Sequence, residues 1–230
     1  MSKYFLFAAI ASLAMVNSAS ASVITWQTPH NISGASDVNT TGTTFGTWAP
    51  GSYSANPYTV NGVDFYSTSN LPGLTFNNFW AFQNVFGSPG TSDANYNYLL
   101  QNAIYDGTDP ATVSWNGLTV GHTYLVELWT NDTRSGVESR TETFSGSASD
   151  VSSSVAFQTA ATGAGQYIVG TFDASTVSQT ITLQGNQAGQ LNLIQVRDIT
   201  PPPSLPEPAT LSLFGLGALA MLRRPLKKPA

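Results

Sequence analysis

Thr123-Tyr124-Leu125-Val126-Glu127-Leu128-Trp129-Thr130-Asn131 decides how the chain folds. Its residues are the β-branched, aromatic and long apolar types that suit a pleated, buried surface. Successive side chains of a strand point to opposite faces, so Tyr124, Val126 and Leu128 share one face while Leu125, Glu127 and Trp129 share the other. We read a central strand that lays the first set in the core. Working outward, the same short alternation recurs at Val23–Gln27, Thr59–Ser67, Leu74–Phe82, Ala111–Trp115, Ser139–Ser145, Ser154–Thr159, Gln166–Asp173, Ser178–Gln184 and Leu191–Asp198. Asn61-Gly62, Asp106-Gly107 and Asn116-Gly117 supply the positive φ that tight reversals need. Ten such strands exceed the usual content of one open sheet, which predicts an all-β fold of two packed sheets over residues 22–200.

One stretch departs from the β pattern. After Ser92-Asp93, a capping pair, Tyr96, Leu99, Leu100, Ala103 and Ile104 recur at helical spacing until Asp106-Gly107 stops the run. This predicts one short helix packed across a sheet edge or barrel mouth, with an irregular loop on buried anchors as the alternative.

Composition narrows the function. The 230 residues contain no cysteine, 41% hydrophobic residues and only 9% charged ones, far below the roughly 25% of an ordinary globular chain. Disulfides, thiolate zinc sites and cysteine nucleophiles are excluded. Between Ser22 and Leu205 three arginines face twelve acids, a formal charge of −9. Nucleic acid is not an expected partner, because phosphate binding draws on clustered Lys and Arg.

The two ends are built differently from the body. Residues 1–21 carry Lys3, an apolar run from Tyr4 to Val16, and Ala19-Ser20-Ala21, the small residues of a cleavage site. This is a secretory signal peptide, helical in its apolar part and too short to span a bilayer. At the other end a Pro-rich linker at 201–205 precedes Pro206-Glu207-Pro208, an uncharged apolar segment at 209–222, and a basic end at 223–228 that begins with Arg223-Arg224. The prolines enforce an extended linker, the apolar segment is a lipid-seeking helix, and the basic cluster holds its far end on the cytoplasmic side.

Pro206, Glu207 and Pro208, followed by an apolar segment and then Arg223 and Arg224, resemble the PEP-CTERM sorting signal of exopolysaccharide-producing Gram-negative bacteria. The resemblance implies an exosortase-type processing enzyme as a partner. It also implies transient anchoring in the inner membrane and delivery to the cell surface or its polysaccharide matrix. The tail at 206–230 departs from the pattern in its rather short apolar run and its extra basic residues through Lys228. Within the body, Leu118 to Trp129, Asn131 to Arg134 and Leu191 to Asp198 resemble galactose-binding-like jelly rolls, malectin-like domains included. That resemblance implies a jelly-roll form of the sandwich and says nothing firm of function.

The residues offer little catalytic chemistry. His30 and His122 stand without a second ligand at metal-binding spacing, and no G-x-S-x-G elbow occurs. Glu138, Arg140 and Glu142 fall at even separations and read as a solvated acid-base-acid ladder on a sheet face. Glu127, alone in an apolar strand, is the carboxylate most open to perturbation, with an arginine such as Arg134 as its expected partner. Asp37 and the Asp106 to Asp109 loop are candidate ligands for a structural calcium ion, although turn formation also explains them. The candidate ligand-binding group is Trp129, Asn131, Asp132 and Arg134, where an aromatic ring and hydrogen-bonding side chains follow a strand as glycan recognition requires. The expectation is a non-catalytic carbohydrate-binding module. A structural or adhesive matrix protein is the alternative, and a glycoside-active enzyme with two inward-facing acids comes third.

Overall fold

The computed structural model describes residues 21–51, 57–68, 70–79, 81–105, 110–147, 150, 153–160 and 162–202. Residues 1–20 of the 1–21 leader, Tyr53, Trp80, the Asp106 to Asp109 loop, the end of the linker, the sorting residues Pro206 to Pro208, the apolar segment 209–222, and Arg223 with Arg224 lie outside the described residues. Among the described residues no helix is long and apolar enough to cross a membrane.

The elements run β1 (Thr25–Trp26), β2 (His30–Asn31), a 3-10 turn (Ala35–Asp37), β3 (Thr43–Trp48), β4 (Tyr58–Val60), β5 (Val63–Phe65), β6 (Thr75–Asn77) and β7 (Ala81–Gln83). Helix α1 (Ala94–Leu100) follows, then β8 (Ala103–Tyr105), β9 (Ala111–Asn116), β10 (Thr123–Thr130), β11 (Thr141–Ser145) and β12 (Ser153–Ala156). Strands β13 (Gln166–Asp173), β14 (Ser178–Gly185), β15 (Gln190–Leu191) and β16 (Leu193–Asp198) complete the body. One sheet has the order β1-β13-β10-β16-β3, with β2 also on β13, and a second has the order β12-β11-β14-β9-β6. A short β15-β8-β7 sheet and the β4-β5 hairpin are separate. The fold is all-β, with one short helix.

The two large sheets share one core. Tyr124, Val126 and Leu128 of β10, Ile168 and Phe172 of β13, and Ile194 and Val196 of β16 meet Val113 and Trp115 of β9, Phe144 of β11, and Ile181 and Leu183 of β14. The set predicted to enter the core from β10 does so. The other face of β10 is buried as well: Trp129 and Leu193 pack with Tyr96, Leu99 and Leu100 of α1 and with Val60, Val63 and Phe65 of the hairpin. At roughly 1.5–3 kcal/mol for each large apolar side chain buried, this second layer accounts for apolar side chains on both faces of β10. A strand covered on both sides has no solvent face to serve.

Local chemistry explains most boundaries. The hairpin turns at Asn61 and Gly62, with φ of 49° and 75°, as a two-residue loop of this sequence requires. The predicted strand Thr59–Ser67 is thus two strands. Asp93 caps α1 by accepting from Tyr96 N at 2.8 Å. The helix stops at Leu100, four residues short of the end of the helical pattern at Ile104, because the Asn102 side chain takes the Tyr98 carbonyl at 2.5 Å. Ala103 and Ile104 then join β8 as buried strand residues.

Candidate functional site

The end of β10 carries the chain to the site. Asn131 and Asn192 form a polar latch beneath the C-terminal end of α1. Asn131 Nδ2 donates to the carbonyls of Gly87 at 3.0 Å and Leu100 at 3.1 Å, while its Oδ1 accepts from Gly165 N at 3.0 Å. Asn192 Nδ2 donates to Leu100 O at 2.7 Å and Asn102 O at 3.0 Å, and Asn131 N donates to Asn192 Oδ1 at 2.8 Å. Carbonyls that a helix end leaves open are thereby satisfied.

Three of the four predicted ligand contacts, Trp129, Asn131 and Asp132, are structural. Asn131 is fully buried, and its side-chain amide is used by backbone. Trp129 is fully buried, donates Nε1–H to Tyr96 Oη at 2.7 Å, and lies edge-on to Phe65. The expectation of an exposed ring at Trp129 is corrected: α1 and the hairpin cover that face of the sheet.

Arg134 does stand at a cleft. It encloses about 340 Å³ and is lined by Phe86, Tyr105, Arg134, Arg140, Gln187, Ala188 and Gln190. Asp132 is its buried anchor. Arg134 donates to it through Nε at 2.8 Å and Nη2 at 2.6 Å, and Arg140 Nη1 donates at 3.2 Å. The guanidinium of Arg134 also lies 4.7 Å over the Phe86 ring, while that of Arg140 lies 4.0 Å over Phe157 and donates to Ala188 O at 2.9 Å. A bidentate carboxylate and an aromatic face fix a guanidinium more firmly than either alone. The bonds to Asp132 raise Arg134 above its ordinary pKa despite partial burial. Its side chain is 44% exposed, against 10% for Arg140 and none for Asp132. Tyr105, half-buried, meets Phe86 edge-on at 6.0 Å.

The floor is equally fixed. Gln190 donates Nε2–H to Asn131 O at 2.7 Å and to Asn192 Oδ1 at 3.0 Å, and its backbone N–H donates to Glu142 at 2.9 Å. Glu142 also accepts from Thr130 Oγ1. The solvated ladder predicted for Glu138, Arg140 and Glu142 is thus corrected. Gly136, with φ of 87°, opens a turn that leaves Glu138 outside β11, and Arg140 and Glu142 are buried rather than exposed.

A carboxylate with a perturbed pKa lies on the helix-covered face of β10. Glu127 is fully buried and accepts from Asn39 N at 3.1 Å and Gln195 Nε2 at 2.5 Å. Its partner is Gln195 rather than Arg134, because β10 and β16 bring Glu127 opposite Gln195. Its Oε1 has no partner among the described residues. Burial pushes the carboxyl from its ordinary 4.5 to about 8, against the opposing hydrogen bonds from Asn39 and Gln195. Asp37 spends its oxygens on Ser33 N at 2.7 Å, Ser33 Oγ at 2.6 Å, Gly34 N at 3.0 Å and Tyr96 Oη at 3.3 Å. It shapes its own turn. Among the described residues no three His, Cys, Asp or Glu side chains come together as a metal site.

A larger hollow, about 540 Å³, lies beside Ser22 and is lined chiefly by small residues with Thr123, Phe172 and Asp173. Asp173 there accepts from Thr123 Oγ1 at 2.6 Å. The smaller cleft is chemically the richer: it combines a fixed cation, a ring and amide groups. Sequence reasoning found Asp132 and Arg134 but missed Phe86, Tyr105, Gln187 and Gln190, which arrive from separate segments with no shared spacing.

The architecture is that of an all-β body with a polar cleft at the end of its central strand. At the C-terminus the chain carries a PEP-CTERM protein-sorting motif, matched over residues 204–228. That match includes Pro206, Glu207, Pro208, Arg223 and Arg224 and supports an exported, cell-surface-directed protein processed by an exosortase. No curated protein and no solved structure matches the chain.

Proposed function

We propose that the body is a non-catalytic carbohydrate-binding module that works at the cell surface or in the surrounding matrix, using the cleft between Tyr105, Arg134 and Gln187. The observation that carries this reading is the state of Arg134. Its guanidinium is locked by Asp132 and Phe86, yet its side chain is nearly half exposed beside an aromatic ring, with Nη1 uncommitted among the described residues. Sugar rings offer apolar CH faces to an aromatic ring and hydroxyl acceptors to N–H donors, and fixed donors lose little entropy on binding. The cleft is suited to holding a ligand rather than to reaction. Its buried acids, Asp132 and Glu142, are committed to arginine, threonine and backbone donors, which is the opposite of a glycosidase acid poised over a bond. In this reading the 209–222 segment anchors the chain transiently in the inner membrane before the tail is processed.

A glycan array probed with the full chain, with and without calcium, tests the proposal. Saturable binding that Tyr105→Ala and Arg134→Ala abolish is expected. No binding by folded protein refutes it and favours the structural or adhesive reading, which the burial of Trp48, Trp115 and Trp129 would then accommodate.

A further inference from the structure

Resting on that reading of the cleft, we propose that its ligand is a carboxylate-bearing sugar, a uronic acid residue at the end or on a branch of a polysaccharide. The body contains three basic side chains other than histidine, and no lysine lies between Ser22 and Leu205. Arg197 is spent inside the fold, donating to Thr41 O at 2.6 Å, Thr40 O at 3.0 Å, Gly42 O at 2.9 Å and Thr44 Oγ1 at 2.8 Å. Arg140 is nearly buried and bonded to Asp132 and Ala188. Arg134 is therefore the one arginine of the body whose side chain is substantially exposed, and it lines the cleft.

What a ligand meets at the surface of the cleft is the outer edge of the Arg134 guanidinium, whose inner edge is paired with Asp132. The carboxylates behind the surface, Asp132 and Glu142, are both buried and are already hydrogen-bonded by several donors. Arg134 keeps Nη1 for an incoming oxygen. A guanidinium held planar presents its N–H groups in the geometry that a carboxylate accepts best, and a charge-assisted bond exceeds one to a neutral hydroxyl. The amide of Gln187 on the exposed rim and the edge of Tyr105 suit the hydroxyls and ring of the same sugar. The −9 charge of the body does not oppose this at the site, since at physiological salt it is screened beyond about 8 Å. A cleft of about 340 Å³ lies at the small end of ligand sites, which favours one sugar unit over a long bound chain.

The test compares oligogalacturonides as free acids with their methyl esters, together with neutral galacto-oligosaccharides, titrated calorimetrically into the full chain. The free acid is expected to bind roughly tenfold more tightly than the ester, the worth of one charge-assisted bond. Arg134→Gln is expected to erase that difference, and Arg134→Lys to keep part of it. Equal affinity for acid and ester, or preference for the neutral sugar, overturns this inference and leaves the glycan-binding reading standing. Failure of every array glycan and every oligosaccharide to bind overturns both. The acid-ester comparison in the unmutated protein holds even if a variant does not fold.

Discussion

Replacing Glu127 with Gln should change how stability depends on pH, and the size of the change follows from where the carboxyl sits. In the folded chain burial holds it to about 8; in the unfolded chain it titrates near the ordinary 4.5. Between those values the folded state keeps a proton that the unfolded state has released. Stability is therefore full below 4.5 and falls as pH rises toward 8, by about 1.4 kcal/mol per pH unit where the proton difference is complete. Across the whole interval the loss approaches about 5 kcal/mol, a large share of the ~5–15 kcal/mol available to a domain. The amide keeps an oxygen for Asn39 N and Gln195 Nε2 but cannot ionise. Urea denaturation of the full chain at pH 5, 6, 7 and 8 should give a steeply falling profile for the native sequence and a flatter one for Glu127→Gln, with the variant the more stable at pH 8. Parallel profiles would refute the claim that Glu127 is held neutral by the core.

Asn131→Ala removes donors from two carbonyls and the acceptor of Gly165 N. It should cost about 1–3 kcal/mol for each group left buried and unpaired, read as a lower thermal midpoint. Gly87 has φ of 77°, and a Cβ there would meet Thr133 Oγ1 at 2.0 Å. Gly87→Ala should displace the neighbouring Phe86 from under Arg134 and weaken glycan binding by more than it lowers stability, checked by titration and melting side by side. Glu207→Ala within the Pro206-Glu207-Pro208 tripeptide should leave the tail unprocessed, seen as an unshortened mass in the cell-associated protein.

The body was legible in the sequence where side chains obey one period. Tyr124, Val126 and Leu128 announced the shared core, and Asn61-Gly62 its hairpin. Strand β3 was not legible. Thr43-Thr44-Phe45-Gly46-Thr47-Trp48 lacks alternation, and Gly46 is there because a Cβ would meet the Leu71 backbone at 2.6 Å, a tertiary demand that no local pattern shows. The helical spacing carried the eye past Leu100 because Ala103 and Ile104 are buried from a strand instead. Even spacing misled at Glu138, Arg140 and Glu142, since it holds only inside a strand and β11 begins at Thr141. All of the predicted site but Arg134 proved to be architecture, Trp129 and Asn131 for a related reason. Trp129 and Asn131 were judged by residue type, whereas the cover that α1 and β15 place over them is set by the topology.

Glycan recognition at the Arg134 cleft is the central claim to test. Native electrophoresis of the full chain through gels containing the producing organism's own exopolysaccharide reads this directly, with Arg134→Ala run alongside. The account predicts mobility that slows as polysaccharide is added, with the variant unaffected. Unchanged mobility of the folded native chain, or equal retardation of the variant, would contradict it.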